Sequence, residues 1–185
     1  MTQDDMTPEA EMPKLDPNEV LAVARPSAGR RFLGLVSLGL LGLMLIYIAV
    51  AEQPALEWQL FLLLMGAGAL WLTDRMRRAT ASHLEITETE LRDTNGEVIA
   101  KIADIEHMDR GFFAFKPSNG FLLRTAAPAS NQWHPGMWWR VGRRIGVGGM
   151  MPAHQTKQIS EIIAVIMAKR EIERDQAARD TDGKL

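Results

Sequence analysis

The feature that most constrains this chain is the run FLGLVSLGLLGLMLIYIAVA, Phe32 to Ala51, twenty residues without a charge. At 1.5 Å rise per residue, about twenty apolar residues cross a hydrocarbon core roughly 30 Å thick. ALEWQLFLLLMGAGALWLT, Ala55 to Thr73, is a second span. Its polar Glu57 and Gln59 sit near the start, where headgroups accept them, and Trp58 and Trp71 mark its two interfaces. Buried helices of a soluble core are the competing reading, and uncharged runs of this length with basic outer flanks disfavour it. A cleaved signal peptide is also disfavoured, because acidic, proline-containing sequence precedes the first span and no small-residue cleavage site follows it.

The flanks orient the pair. Arg25, Arg30 and Arg31 precede the first span, Arg75, Arg77 and Arg78 follow the second, and the connector holds Glu52 but no base. Basic residues are retained on the cytoplasmic side, so the expectation is a multi-pass protein of a bacterial inner membrane with both termini cytoplasmic. Small residues line both spans (Gly34, Ser37, Gly39 and Gly42; Gly66, Ala67, Gly68 and Ala69) without a clean GxxxG. We expect them to serve packing within the chain in preference to a specific homo-oligomer face, which is left open.

Charge is segregated along the rest of the chain, although the net charge is only −2. Residues 1–24 carry six acids against Lys14, and Arg110 to Met150 carries six bases and no acid. There is no cysteine, which excludes disulfides and thiolate chemistry. The predicted organisation is an acidic, disordered tail over 1–24, a membrane hairpin over 25–78, a cytoplasmic domain over 80–172 and a frayed end over 173–185.

In that domain the pattern alternates. HLEITETEL turns Leu84, Ile86 and, less regularly, Leu91 inward, as a half-buried strand requires. Asn95-Gly96 is a strong hairpin signal, after which Val98, Ile102 and Ile105 continue one or two strands. A second hairpin is expected around Asn119-Gly120, with Phe113, Phe115, Leu122 and Leu123 nearby. After Pro152, the residues Ile159, Ile162, Ile163, Ile166 and Met167 form one helical stripe. Repeated hairpins closed by one helix predict an α+β domain, an antiparallel sheet or small barrel capped by a C-terminal helix.

The segments ITETEL, NGEVI, IADIEHM and ISEIIAVI, within about residues 80–170, resemble the bacterial PH-like domains that follow a two-helix membrane anchor. The resemblance implies a seven-stranded bent sheet or barrel capped by a helix, a protein- or lipid-binding role, and no catalytic residues. A departure is TAAPASNQWHPG, Thr125 to Gly136, which reads as a long proline-rich connection and leaves the later strand count open.

NQWHPGMWWRVGRRIGVGG, Asn131 to Gly149, packs three tryptophans, three arginines and five glycines into nineteen residues. Strict alternation buries Trp139, Val141, Ile145 and Val147, with Arg143 an exception on that side. It presents Trp138, Arg140 and Arg144 outward as candidate lipid- or partner-binding residues. That outward face reads as a solvated strand edge guarded by arginine, a surface on the inner leaflet, or a protein-binding face. Nucleic acid ranks last, for want of a recognition motif. GRRIGVGG lacks the lysine of a phosphate loop and the dinucleotide fingerprint.

No constellation for chemistry stands out. A metal site from His107 with Asp104, Glu106 or Asp109 is weaker than a solvated strand end, since alternation sends Glu106 and His107 to opposite faces. Ser82 near His83 and Ser130 near His134 lack a third member, and Glu57 lies too shallow for a proton relay. The expectation is therefore non-enzymatic and without a cofactor: an interaction or assembly module for another membrane protein or complex, with contact to membrane lipid. The alternative is a subunit of a small transporter or an unrecognised membrane enzyme, for which the spans offer only Ser37 and Tyr47.

Overall fold

The computed structural model describes residues 18–111 and 117–182. The acids of the tail through Asp16, and Phe113 and Phe115 of the second hairpin, lie outside the described residues. Two apolar helices, two antiparallel sheets and a C-terminal helix make a mixed α+β fold.

Helices α1 (Ala28–Ala51) and α2 (Leu56–Ala79) pair directly and are long and apolar enough to cross a membrane. Their pairing depends on absent side chains. A Cβ added to Gly66 would come 2.6 Å from Ile46 Cγ1 and 2.9 Å from the Gly42 carbonyl oxygen, so the two backbones nearly touch there. Pro54 and Gln53, the latter at φ 43°, make the turn at the tip. Gln59 Nε2 then donates to the Ala49 carbonyl at 3.0 Å, spending its polarity inside the hairpin. Elsewhere the helices face outward, and little of either apolar stretch is buried inside the molecule.

Strand β1 (Ala22–Ala24) precedes α1, and β2 (Leu84–Ile86) follows α2, yet the two are antiparallel neighbours in register Ala22↔Ile86 and Ala24↔Leu84. The helical hairpin is thus an insertion between adjacent strands. This corrects the boundary read from sequence, which assigned residues 22–24 to a disordered tail.

The first sheet continues through β3 (Glu90–Asp93) and β4 (Val98–Lys101), in order β1-β2-β3-β4. Thr87 Oγ1 accepts from the Thr89 and Glu90 N–H groups in one turn. At the next, Gly96 adopts φ +83° and the Asp93 carboxylate accepts from Asn95 N–H, the hairpin expected of Asn-Gly.

A 3₁₀ turn (Ile102–Asp104) carries the chain to the second sheet, β5 (Ile105–Asp109), β6 (Phe121–His134) and β7 (Trp138–Val147), in that order. The segment read as a long connection, Thr125 to Gly136, is instead mostly strand: β6 runs to His134 and turns at Pro135-Gly136. Pro128 fits because the β6–β7 register shifts between Arg124 and Ala129, where a missing N–H breaks no regular ladder. The described strands number seven.

One core joins both sheets to α3 (Ala153–Asp182) through Leu84, Ile86, Leu91, Ile99, Phe121, Leu123, Ile145, Val147, Ile159 and Ile163. Ile162, Ile166 and Met167 flank it, as the helical stripe predicted. The frayed end expected from residue 173 is helical through Asp182, with an exposed surface over 171–179.

The base of the hairpin is tied to the domain. Ser27 N–H donates to the Met150 carbonyl at 2.9 Å, Arg25 N–H donates to Gln155 Oε1 at 2.8 Å, and a Cβ on Gly34 would meet Met150 Cε at 2.7 Å.

Candidate interaction surfaces

The structure divides the tryptophan-arginine stretch differently from strict alternation. Trp138 is 1% exposed and Arg140 8% exposed, so the expectation that both face outward is corrected. Val141, expected inward, is exposed, while Ile145 and Val147 are buried and Arg144 is exposed, as alternation required. The cause is Gly142, whose φ of +57° sits within the irregular β6–β7 register and inverts the side-chain parity midway along the strand. Trp139 is half-buried over Gly146, where an added Cβ would come within 2.4 Å of its ring.

Arg140 acts as a clamp between the sheets. Its guanidinium donates from Nη2 to the Val98 and Ile99 carbonyls on β4, at 2.9 and 2.6 Å, and lies 5.7 Å from the Trp138 ring centroid. Burial lowers its pKa from the ordinary guanidinium value, and the Glu97 charge opposes that shift. Glu97 in turn accepts from Gln132 and lies 3.1 Å from His134 Nε2, and the His134 ring stacks on Trp138 with centroids 4.4 Å apart. These groups hold the two sheets at one corner. Among the described residues, Trp138 Nε1 and Arg140 Nε find no hydrogen-bond partner.

An open groove of about 680 Å³ lies between β5 and α3. One wall is β5, which among the described residues pairs only with β6 and so stands at the sheet edge. The other is the α3 face bearing Ala164, Met167, Ala168, Arg170 and Glu171. Arg170 closes one end by donating to the Ile102 and Ala103 carbonyls at 2.6 and 2.9 Å. His107, Glu106 and Met108 line the strand side. An unpaired strand edge beside a small, partly apolar helix face can accept an extended peptide through main-chain hydrogen bonds. Sequence reasoning found both elements but not the groove, because it left β5 without a definite neighbour.

The flanking bases gather at the hairpin base. Arg25, Arg30, Arg75, Arg77 and Arg78 are exposed, and Arg31 reaches the Arg77 carbonyl at 3.5 Å. Asp74 pairs with both Arg77, at 3.0 Å, and Arg78. Trp58, edge-on against Phe61, and Trp71 are exposed near the two ends of the apolar part of α2. Ser37 and Tyr47 are exposed on the outer surface of α1, not enclosed between the helices. No three His, Asp or Glu side chains among the described residues stand close enough to share a metal ion. No protein-family model, curated protein or solved structure matches the chain.

Proposed function

We propose that the chain is a non-enzymatic interaction module of a bacterial inner membrane, in which a transmembrane hairpin presents a PH-like domain at the cytoplasmic face. Support for the membrane part comes from the two apolar helices, whose outward faces expose Phe32, Leu33, Leu40, Tyr47, Leu60 and Leu64. A contiguous apolar surface of that extent requires a nonpolar environment. The basic residues at the hairpin base and their absence from its tip support the orientation. Two antiparallel sheets and a C-terminal helix support the PH-like reading, with six of the seven described strands following the hairpin and β1 preceding it.

The observation that carries the interaction reading is the β5 edge facing α3 across an open groove. An extended segment of a membrane protein partner would add as a strand to β5 and rest alternate small or apolar side chains on Ala164, Met167 and Ala168. Methionine adapts to varied side chains. Because the domain is held at the membrane, its effective concentration toward such a partner is high and a modest groove suffices.

The test is capture of partners by the full chain in mild detergent, comparing wild type with Ala168→Trp, which fills the groove from an exposed helix position, and with Arg144→Ala as a control. A stoichiometric membrane partner lost only with Ala168→Trp supports the groove. A partner retained by Ala168→Trp places docking elsewhere.

A further inference from the structure

A second cavity, about 260 Å³, opens at the base of the hairpin where α2 meets the β6–β7 turn, lined by Arg75, Arg78, Ser82, Asn95, Trp133 and His134. We propose that it holds the headgroup of one anionic phospholipid of the surrounding leaflet; this rests on the membrane reading above.

Four observations converge. The apolar part of α2, Leu56 to Thr73, spans about 27 Å at helical rise, so Arg75 and Arg78 lie just beyond the hydrocarbon, where lipid phosphates stand. Trp71, Arg75 and Arg78 follow one another at helical spacings of four and three, so an indole at the edge of the apolar span leads to two guanidinium groups along one stripe. Trp133, 47% exposed, brings a second indole to the same cavity from the end of β6. An indole suits the headgroup region, with its apolar ring and hydrogen-bonding N–H.

Charge selects the headgroup. Arg75 makes no ion pair among the described residues, so it is available to a phosphate, and Asn95 adds a polar group at the wall. The neighbouring acids stand outside the lining: Asp74 is paired with Arg77 and Arg78, Asp93 accepts from the Ser82 hydroxyl in a buried position, and Glu97 accepts from Gln132 and lies 3.1 Å from His134 Nε2. No carboxylate lines the cavity, so the ammonium of a zwitterionic headgroup would meet none at its wall. A phosphoglycerol headgroup brings a single negative charge and hydroxyls.

The experiment is native mass spectrometry of the full chain in detergent, titrated with phosphatidylglycerol or with phosphatidylcholine of the same acyl chains. Wild type should retain one phosphatidylglycerol at concentrations at least about tenfold below those needed for phosphatidylcholine, since each base near anionic lipid favours binding several-fold. Arg75→Gln with Arg78→Gln should abolish that preference, Trp133→Leu should weaken it, and Arg144→Gln should leave it intact. Millimolar glycerol 3-phosphate should not displace the lipid; displacement would identify a soluble phosphate ligand and overturn the lipid assignment. Equal retention of both lipids, or equal loss in Arg144→Gln, also overturns it. Trp133→Leu lies outside the helices and tests the site even where the double variant fails to fold. Alkaline extraction of cell membranes separates the two proposals: a chain that washes off sinks the membrane reading and this one together, whereas one that stays but shows no headgroup preference sinks this one alone.

Discussion

A single glycine decides which tryptophan of the pair at 138 and 139 enters the core. Alternation in β7 is obeyed on both sides of Gly142 but with opposite parity, so Ile145 and Val147 were legible from sequence while Trp138 and Arg140 were not. Nothing in the pattern distinguishes a glycine at φ +57° from one in extended conformation. The burial of Trp138 gives a graded expectation. Trp138→Ala should destabilise the domain by about 3–5 kcal/mol. Trp138→Phe should cost clearly less, because the indole N–H makes no hydrogen bond that would be lost. Arg144→Ala, at an exposed position, should fall within about 0.5 kcal/mol of wild type. Denaturant unfolding in detergent, followed by circular dichroism, orders the three; a larger loss for Arg144→Ala than for Trp138→Ala would contradict the burial described.

Among the elements, the helical hairpin, the Asn95-Gly96 turn and the α3 stripe could be read directly, because each carries a local signal of composition or period. The strands β1 and β6 could not. Ala22–Ala24 is three residues long and takes its identity from β2, a partner beyond both helices. β6 contains Pro128 and shows no apolar alternation over Ala126 to Asn131, all of which are exposed. The candidate groove was invisible for the same reason: it is made by a strand edge and a helix from distant parts of the chain. Within the hairpin, the close approach at Gly42 and Gly66 makes a matched test. Gly66→Leu must push Ile46 and the α1 backbone aside and should lower the thermal midpoint by several degrees. A Cβ at Gly68 meets nothing within 4 Å, and Gly68→Leu should not. Equal midpoints for the two variants would mean that the helices do not pack through Gly66.

At the level of the whole molecule, the hairpin and the domain are one construction, because β1 and β2 stand side by side with the hairpin between them in sequence. A fragment starting at residue 80 lacks β1 and leaves the β2 edge and Leu84 beside an unfilled place. We expect it to aggregate or to show poor chemical-shift dispersion. Replacing residues 25–83 by Asn-Gly would join Ala24 to Leu84 by a two-residue turn in the observed register and should yield a folded domain without the helices. Comparable dispersion from the two versions would show that β1 is dispensable.

The pairing of Ala24 with Leu84, sixty positions apart, also sets an order of events during synthesis. β1 leaves the ribosome early but has no strand to join until both helices have been made. For a chain inserted as proposed, the first sheet closes only when the strands on either side of the hairpin emerge on the same face of the bilayer. A hairpin threaded with one helix missing would strand β1 across the membrane from β2. Folding of the domain would then report, as a proofreading step, that insertion had succeeded.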